Sequence, residues 1–263
     1  MSLPIVDKVS EKLSHVGLTG ERKAVALTML GFFAGFFFLL RLAARTEMPE
    51  WLPAFTAMFA LYMLTFLGVA AGWFWGRWVA IGVGTWGATI AIWGVVQTRE
   101  LSTPLVFLGI SHALIAFLLM GDSMAADFEG RQGWRQRLGL DDAGVLKLRR
   151  TVTRAASSLP AIVLFALAPR QEDGSALLAC AVVGIGALLM GRTVALVALA
   201  GAAVGAFVLS FGAAPFVAGP FVAVGGITFL PAVTPHVLAL YASVALALSV
   251  VPFAAPIRSY LRR

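Results

Sequence analysis

Residues able to do chemistry are few in this sequence, and those that exist lie in apolar surroundings. His112 stands in Gly109-Ile110-Ser111-His112-Ala113, inside an uncharged run from 101 to 121, while His236 follows Pro235 near the start of the last apolar stretch. An ionisable side chain inside a membrane span is costly and marks a functional candidate. Ser111 and His112 are adjacent, so on a helix they point about 100° apart and cannot work as nucleophile and base. Two histidines on facing helices can ligate a haem iron. Here the expected depths of His112 and His236 differ by about half a bilayer, so no cofactor is predicted, and haem or a quinone at His112 is a third reading only. The bland reading of His112 is a hydrogen bond across to another helix.

The remaining chemistry is mostly excluded. All thirteen acidic residues fall outside the centres of the apolar runs, which argues against carboxylate-based coupling of ion movement. Cys180 is the single cysteine, so no disulfide framework and no thiolate metal cluster is available. Neither G-x-S-x-G, H-E-x-x-H, a P-loop nor a dinucleotide-binding glycine pattern occurs. No catalytic residue and no metal site is therefore predicted, and the reading leans away from an enzyme.

These residues are positioned by a chain built for lipid. Of 263 residues, 60% are hydrophobic and only 13% charged, and the mean hydropathy is +0.90. The stretches 51–76, 78–98, 101–121, 174–191 and 193–257 contain no Lys, Arg, Asp or Glu, and a span needs about 20 mostly apolar residues. Runs this long do not alternate as the strands of a membrane barrel would. The expected fold is all-α and polytopic. Spans are read at 24–44, 52–74, 78–97, 103–121, 151–169, 175–191 and 193–211, with more in 212–257.

Charge selects the topology. Eight spans with both termini inside place sixteen of the twenty basic residues in inner loops, whereas nine reduce the split to thirteen against seven. Eight is the better reading and nine the alternative. The net charge of +7 is then topology, not a nucleic-acid surface. A bacterial inner membrane with cytoplasmic ends is the expected location. Eight spans leave 212–235 as apolar sequence that does not cross, carrying Pro215, Pro220, Pro231 and Pro235. Proline removes a helical hydrogen bond, so this is a candidate broken or re-entrant segment of the kind that lines transport paths.

Five regions are expected. They are an inner tail (1–23) that is either an amphipathic surface helix or frayed, an aromatic-rich membrane half (24–121), an inner loop (122–150), an Ala/Val/Gly-rich membrane half (151–257) and a basic tail (258–263). Asp141 or Asp142 can cap a helix leading into the fifth span. Trp73, Trp75 and Trp78 bracket Arg77 in the aromatic-belt position, and Trp134 beside Arg135 suits an interfacial segment touching anionic headgroups. Trp86 and Trp93, seven apart, share one helix face that suits a flat ligand, lipid or a partner helix. Small residues predict close packing in the second half. Gly76-Arg77-Trp78-Val79-Ala80-Ile81 is echoed by Gly191-Arg192-Thr193-Val194-Ala195-Leu196 at an offset of 115, a possible trace of two repeats.

Two functions from different classes fit best. The first is a non-enzymatic integral subunit or scaffold packing against partner membrane proteins. The alternative is a facilitator or transporter of an uncharged or lipophilic solute, its path lined by His112 and 212–236.

Overall fold

The computed structural model describes residues 4–130, 132–167, 174–192, 194–212, 223–224, 227–228 and 234–253, with side chains from residue 18 onward except at 132, 212, 223–224 and 227–228. Its helices are α1 (Pro4–Glu47), α2 (Leu52–Ala70), α3 (Phe74–Thr98), α4 (Thr103–Leu119), α5 (Asp122–Glu129), α6 (Gln132–Leu138), α7 (Asp142–Ala166), α8 (Gly174–Leu189), α9 (Val194–Gly212) and α10 (Pro235–Val250). Two two-residue strands, β1 (Ala223–Val224) and β2 (Ile227–Thr228), pair antiparallel, Ala223 opposite Thr228 and Val224 opposite Ile227.

Each apolar run becomes a helix because lipid offers no partner to a free backbone amide or carbonyl. Local chemistry sets the ends. Pro53, Pro104 and Pro235 stand in the first turns of α2, α4 and α10, where a missing N–H costs nothing. Asp141, of the two candidate caps, starts α7 by accepting from the Gly144 N–H at 2.7 Å. Gly72 ends α2 at φ +69, with the Trp73 N–H bonded to the Gly68 carbonyl; Gly191 ends α8 at φ +73, with Arg192 bonded to Ala187 in the same way.

Three expectations change. The tail is not separate from the first span, because α1 is one helix of 44 residues, about 66 Å long. Pro4 and Pro49 bracket it and no proline interrupts it. The segment 122–150 is not a plain loop but α5, α6 and the charged first half of α7, with α5 bent 70° from α4. The span count also falls. Five described helices are long and apolar enough to cross a membrane (Leu18–Glu47, Pro49–Ala70, Phe74–Thr98, Val194–Phe211 and Pro235–Phe253), or six if the bent α4–α5 pair is one span. Eight were expected. The shortfall lies in α8, which has only 16 residues, and in α7, whose first half carries Lys147, Arg149, Arg150 and Arg154.

The helices form two rings. α1 packs on α2, α2 on α3, α3 on α4 and α4 back on α1; α7, α8, α9 and α10 close a second ring in the same order. The rings join where α7 lies against α3 and α2. Every residue of α7 from Ala155 to Ala166 is buried, as befits a helix enclosed by others. Pro160 interrupts its ladder, and the Ser157 and Ser158 hydroxyls donate to the Arg154 and Ala155 carbonyls just upstream.

The Gly-Arg echo does not mark equivalent positions. Gly76 is helical and packed on Gly68, whereas Gly191 is the left-handed residue of a turn. Gly72 and Gly191 are the matching turn glycines, 119 residues apart, and Gly139 ends α6 with the same bonding pattern. A turn that recurs three times is a general helix stop, so it carries no argument for a repeat.

Candidate functional site

The first ring is built around one hydrogen-bonded pair. His112 is fully buried in the middle of α4. Its Nδ1 faces the Leu108 carbonyl at 2.9 Å and its Nε2 faces the Tyr62 hydroxyl of α2 at 2.7 Å. A carbonyl only accepts, so Nδ1 carries the proton and Nε2 accepts from Tyr62. Both ring nitrogens are engaged, and no lone pair is left for an axial metal bond. Phe33 lies 4.2 Å from the imidazole centroid, and Gly87 of α3 leaves room for the ring, which a Cβ there would overlap. Ser111 turns away and bonds the Phe107 carbonyl of its own helix at 2.6 Å.

Against this pair lies a cavity of about 220 Å³ between α1, α2, α3, α4 and α7. Phe33, Phe36, Phe37, Phe55, Tyr62 and Trp86 form most of its wall, with Leu40, Leu108 and Leu164 completing it. Phe32 and Phe107 stand at its rim, 50% and 45% exposed, and meet edge to face at 5.2 Å across the α1–α4 seam. The seam faces outward, so the rim opens on an exposed apolar surface of α1 and α4. Trp86 is buried, and its indole N–H has no hydrogen-bond partner among the described residues. Trp93, its expected companion on the same face, is exposed. Cavities lined by aromatic side chains with few polar groups are the usual form of a small-molecule site.

A second polar cluster sits at the start of α3. Arg77 is 3% exposed and pairs with Glu129 of α5, itself 3% exposed. Arg77 Nε also donates to the Leu119 carbonyl at 2.8 Å and its NH2 to the Gly121 carbonyl at 3.3 Å. Trp78 Nε1 donates to the same Glu129 oxygen at 2.8 Å, and Arg149 of α7 approaches the other at 3.6 Å. Arg22 of α1 donates to the Met120 carbonyl at 2.6 Å, so two arginines cap the C-terminus of α4. Arg77 and Trp78 are therefore interior residues, not a headgroup belt. Glu129, missed in the sequence because it lies in a stretch of mixed charge, is brought inside by the bend between α4 and α5.

The other candidates are dispersed. Trp73 is exposed and packs on Trp75 at 5.3 Å, and Trp134 stacks on Phe74 at 4.0 Å. Arg135 pairs with exposed Asp142 at 3.0 Å. His236 donates from Nδ1 to the Ser210 carbonyl at 2.6 Å, tying α10 to α9, and makes no contact with His112. Pro235 begins α10 and breaks no helix; Pro215, Pro220 and Pro231 lie outside the described residues. Among the described residues no cluster of three or more His, Cys, Asp or Glu side chains is placed to hold a metal. Tyr62 was missed too, although a hydroxyl inside an apolar run requires a partner.

Long apolar helices packed in rings, with polar groups paired inside, define a polytopic α-helical integral membrane protein. Comparison with known proteins finds no matching family model, no matching curated protein and no matching solved structure.

Proposed function

We propose that this protein receives an uncharged lipophilic molecule from the bilayer into the cavity between α1 and α4, as a facilitator for such solutes. The observation that carries the reading is the cavity itself: an aromatic enclosure of about 220 Å³, with its rim at the exposed apolar seam of Phe32 and Phe107 and its wall backed by the Tyr62–His112 pair. The unpartnered Trp86 N–H favours an occupant with a carbonyl oxygen. The absence of a carboxylate in the span centres fits movement without ion coupling.

The scaffold reading rests on outward apolar faces such as Val197, Val204, Val208 and Phe211 of α9. A bilayer covers those equally well, so they do not favour it. The finer topology belongs to the same proposal: eight crossings in a bacterial inner membrane, α7 and the short α8 crossing within the bundle, and both termini cytoplasmic. Its support is the sixteen-to-four split of basic residues.

Mass spectrometry of organic extracts from purified protein tests the reading. A lipophilic molecule near one-to-one stoichiometry is expected with the wild type and should be lost in Leu108→Trp, which fills the cavity. Wild type and variant carrying the same mixture of bulk lipid in the same amounts would refute it.

A further inference from the structure

We infer that the arginine-lined cavity where α3, the α4–α5 bend and α7 meet is a binding site for a phosphate group, supplied as a lipid headgroup or as free phosphate. The cavity measures about 300 Å³ and is lined by Arg77, Arg149, Arg150 and Arg154, with Asp122 and Thr153 beside them. It is separate from the aromatic cavity: Arg77 and Trp86 are nine residues apart, which puts them on opposite sides of α3 at about 100° per residue.

Charge carries the inference. Four arginines against Asp122 and Glu129 leave a surplus of two positive charges around one hollow. Arg77 is consumed internally, by Glu129 and by the Leu119 and Gly121 carbonyls. Arg22 supplies a further cap to α4, so the arginines of α7 are not needed there. Arg149, Arg150, Thr153 and Arg154 recur at the three- and four-residue spacing that puts them on one face of α7. Arg150 has no hydrogen bond or ion pair among the described residues, and Arg154 is held only by the Leu248 carbonyl at 2.9 Å. Like charges four apart repel and weaken a helix. A dianionic or monoanionic phosphate relieves that repulsion and accepts the guanidinium forks in bidentate geometry. The start of α3 and the α4–α5 bend meet the charged half of α7 here, at the ends of the apolar stretches of α3 and α4, where a headgroup phosphate would lie.

The test uses the full chain in a neutral detergent, with native mass spectrometry reading retained ligand. Dioleoylphosphatidylglycerol, dioleoylphosphatidylcholine and inorganic phosphate are titrated separately onto wild type, Arg150→Gln and Arg150→Gln/Arg154→Gln. Arg45→Gln, at an exposed position on α1 apart from the hollow, controls for nonspecific attraction. Preference for the glycerol lipid by about tenfold, lost in the two α7 variants and kept in Arg45→Gln, is expected. Saturable binding of inorganic phosphate that is lost in the same variants, without preference between the lipids, supports the site and identifies free phosphate as its source. The inference is overturned if no ligand binds, if binding is unchanged in both α7 variants, or if Arg45→Gln lowers it equally. Arg150→Gln alone keeps the Arg154–Leu248 contact, so loss of fold cannot produce the expected pattern.

Discussion

The two helical rings close in the same order and yet are held together differently. In the ring of α1–α4, buried polar side chains meet one another across helices: Tyr62 with His112, and Arg77 with Glu129, which also takes the Trp78 N–H. In the ring of α7–α10 the buried polar side chains among the described residues are hydroxyls. Ser157, Ser158 and Ser249 bond carbonyls within their own helices, Ser243 reaches across to Ala203, and partly buried Tyr241 of α10 bonds the hydroxyls of Ser157 on α7 and Thr89 on α3. Glycine does not follow that division. Gly82, Gly84 and Gly87 of α3 lie against α7 and α4 with no room for a methyl group, and so do Gly174 and Gly184 of α8 against Ala166 and Leu199, whereas Gly35 in the first ring and Gly186 and Gly201 in the second face open space. Close packing by glycine therefore occurs in both rings, at α3 in the first and at α8 in the second, where the small-residue composition led one to expect it. A ring fixed by particular pairs can keep a cavity open between bulky side chains; a ring of alanines simply closes.

This contrast sets a ranking of mutational effects. Glu129→Ala strands the Arg77 guanidinium in the interior and should cost about 3–5 kcal/mol in a detergent-unfolding titration, while Asp142→Ala, which breaks only the exposed pair with Arg135, should cost about 0–1 kcal/mol. Equal losses in the two variants would erase the distinction between interior and surface charge. Gly87→Ala drives a methyl group into the His112 ring and should cost about 1–3 kcal/mol. Gly186→Ala, with nothing within contact distance, should stay within about 0.5 kcal/mol of wild type or exceed it. Tyr62→Phe leaves His112 Nε2 without a donor, a loss of about 1–2 kcal/mol that tryptophan fluorescence during unfolding can resolve. Ser249→Ala, which removes a bond within one helix, should cost about 0.5 kcal/mol or less; a larger loss than Tyr62→Phe would break the comparison.

The helices were readable because lipid compels any long apolar run to satisfy its own backbone, and Asp141, one of the two candidate caps, does start α7. The interior pairs were not. Glu129 is 52 residues from Arg77, and only the 70° bend after α4 brings it home. Trp78 has the spacing and flanking arginine of an interfacial belt, but its N–H is spent on that same carboxylate. His112 was visible as an isolated polar residue; its partner was not, since a lone tyrosine in an apolar helix looks like packing. The cavity had no linear signature at all, because its wall is assembled from five helices. Length and composition alone identify five or six described spans; α8, with 16 residues, and α7, with arginines in its first half, fall short of those two criteria.

The most direct test is photolabelling of the protein in lipid bilayers with a small lipophilic diazirine, followed by peptide mapping. Saturable labelling concentrated on the α1 segment around Phe33–Phe37 and on α4 near Leu108, and abolished in Leu108→Trp, is expected if the aromatic cavity receives a molecule from the membrane. Non-saturable labelling spread evenly over all lipid-facing helices, the same in wild type and variant, would contradict it.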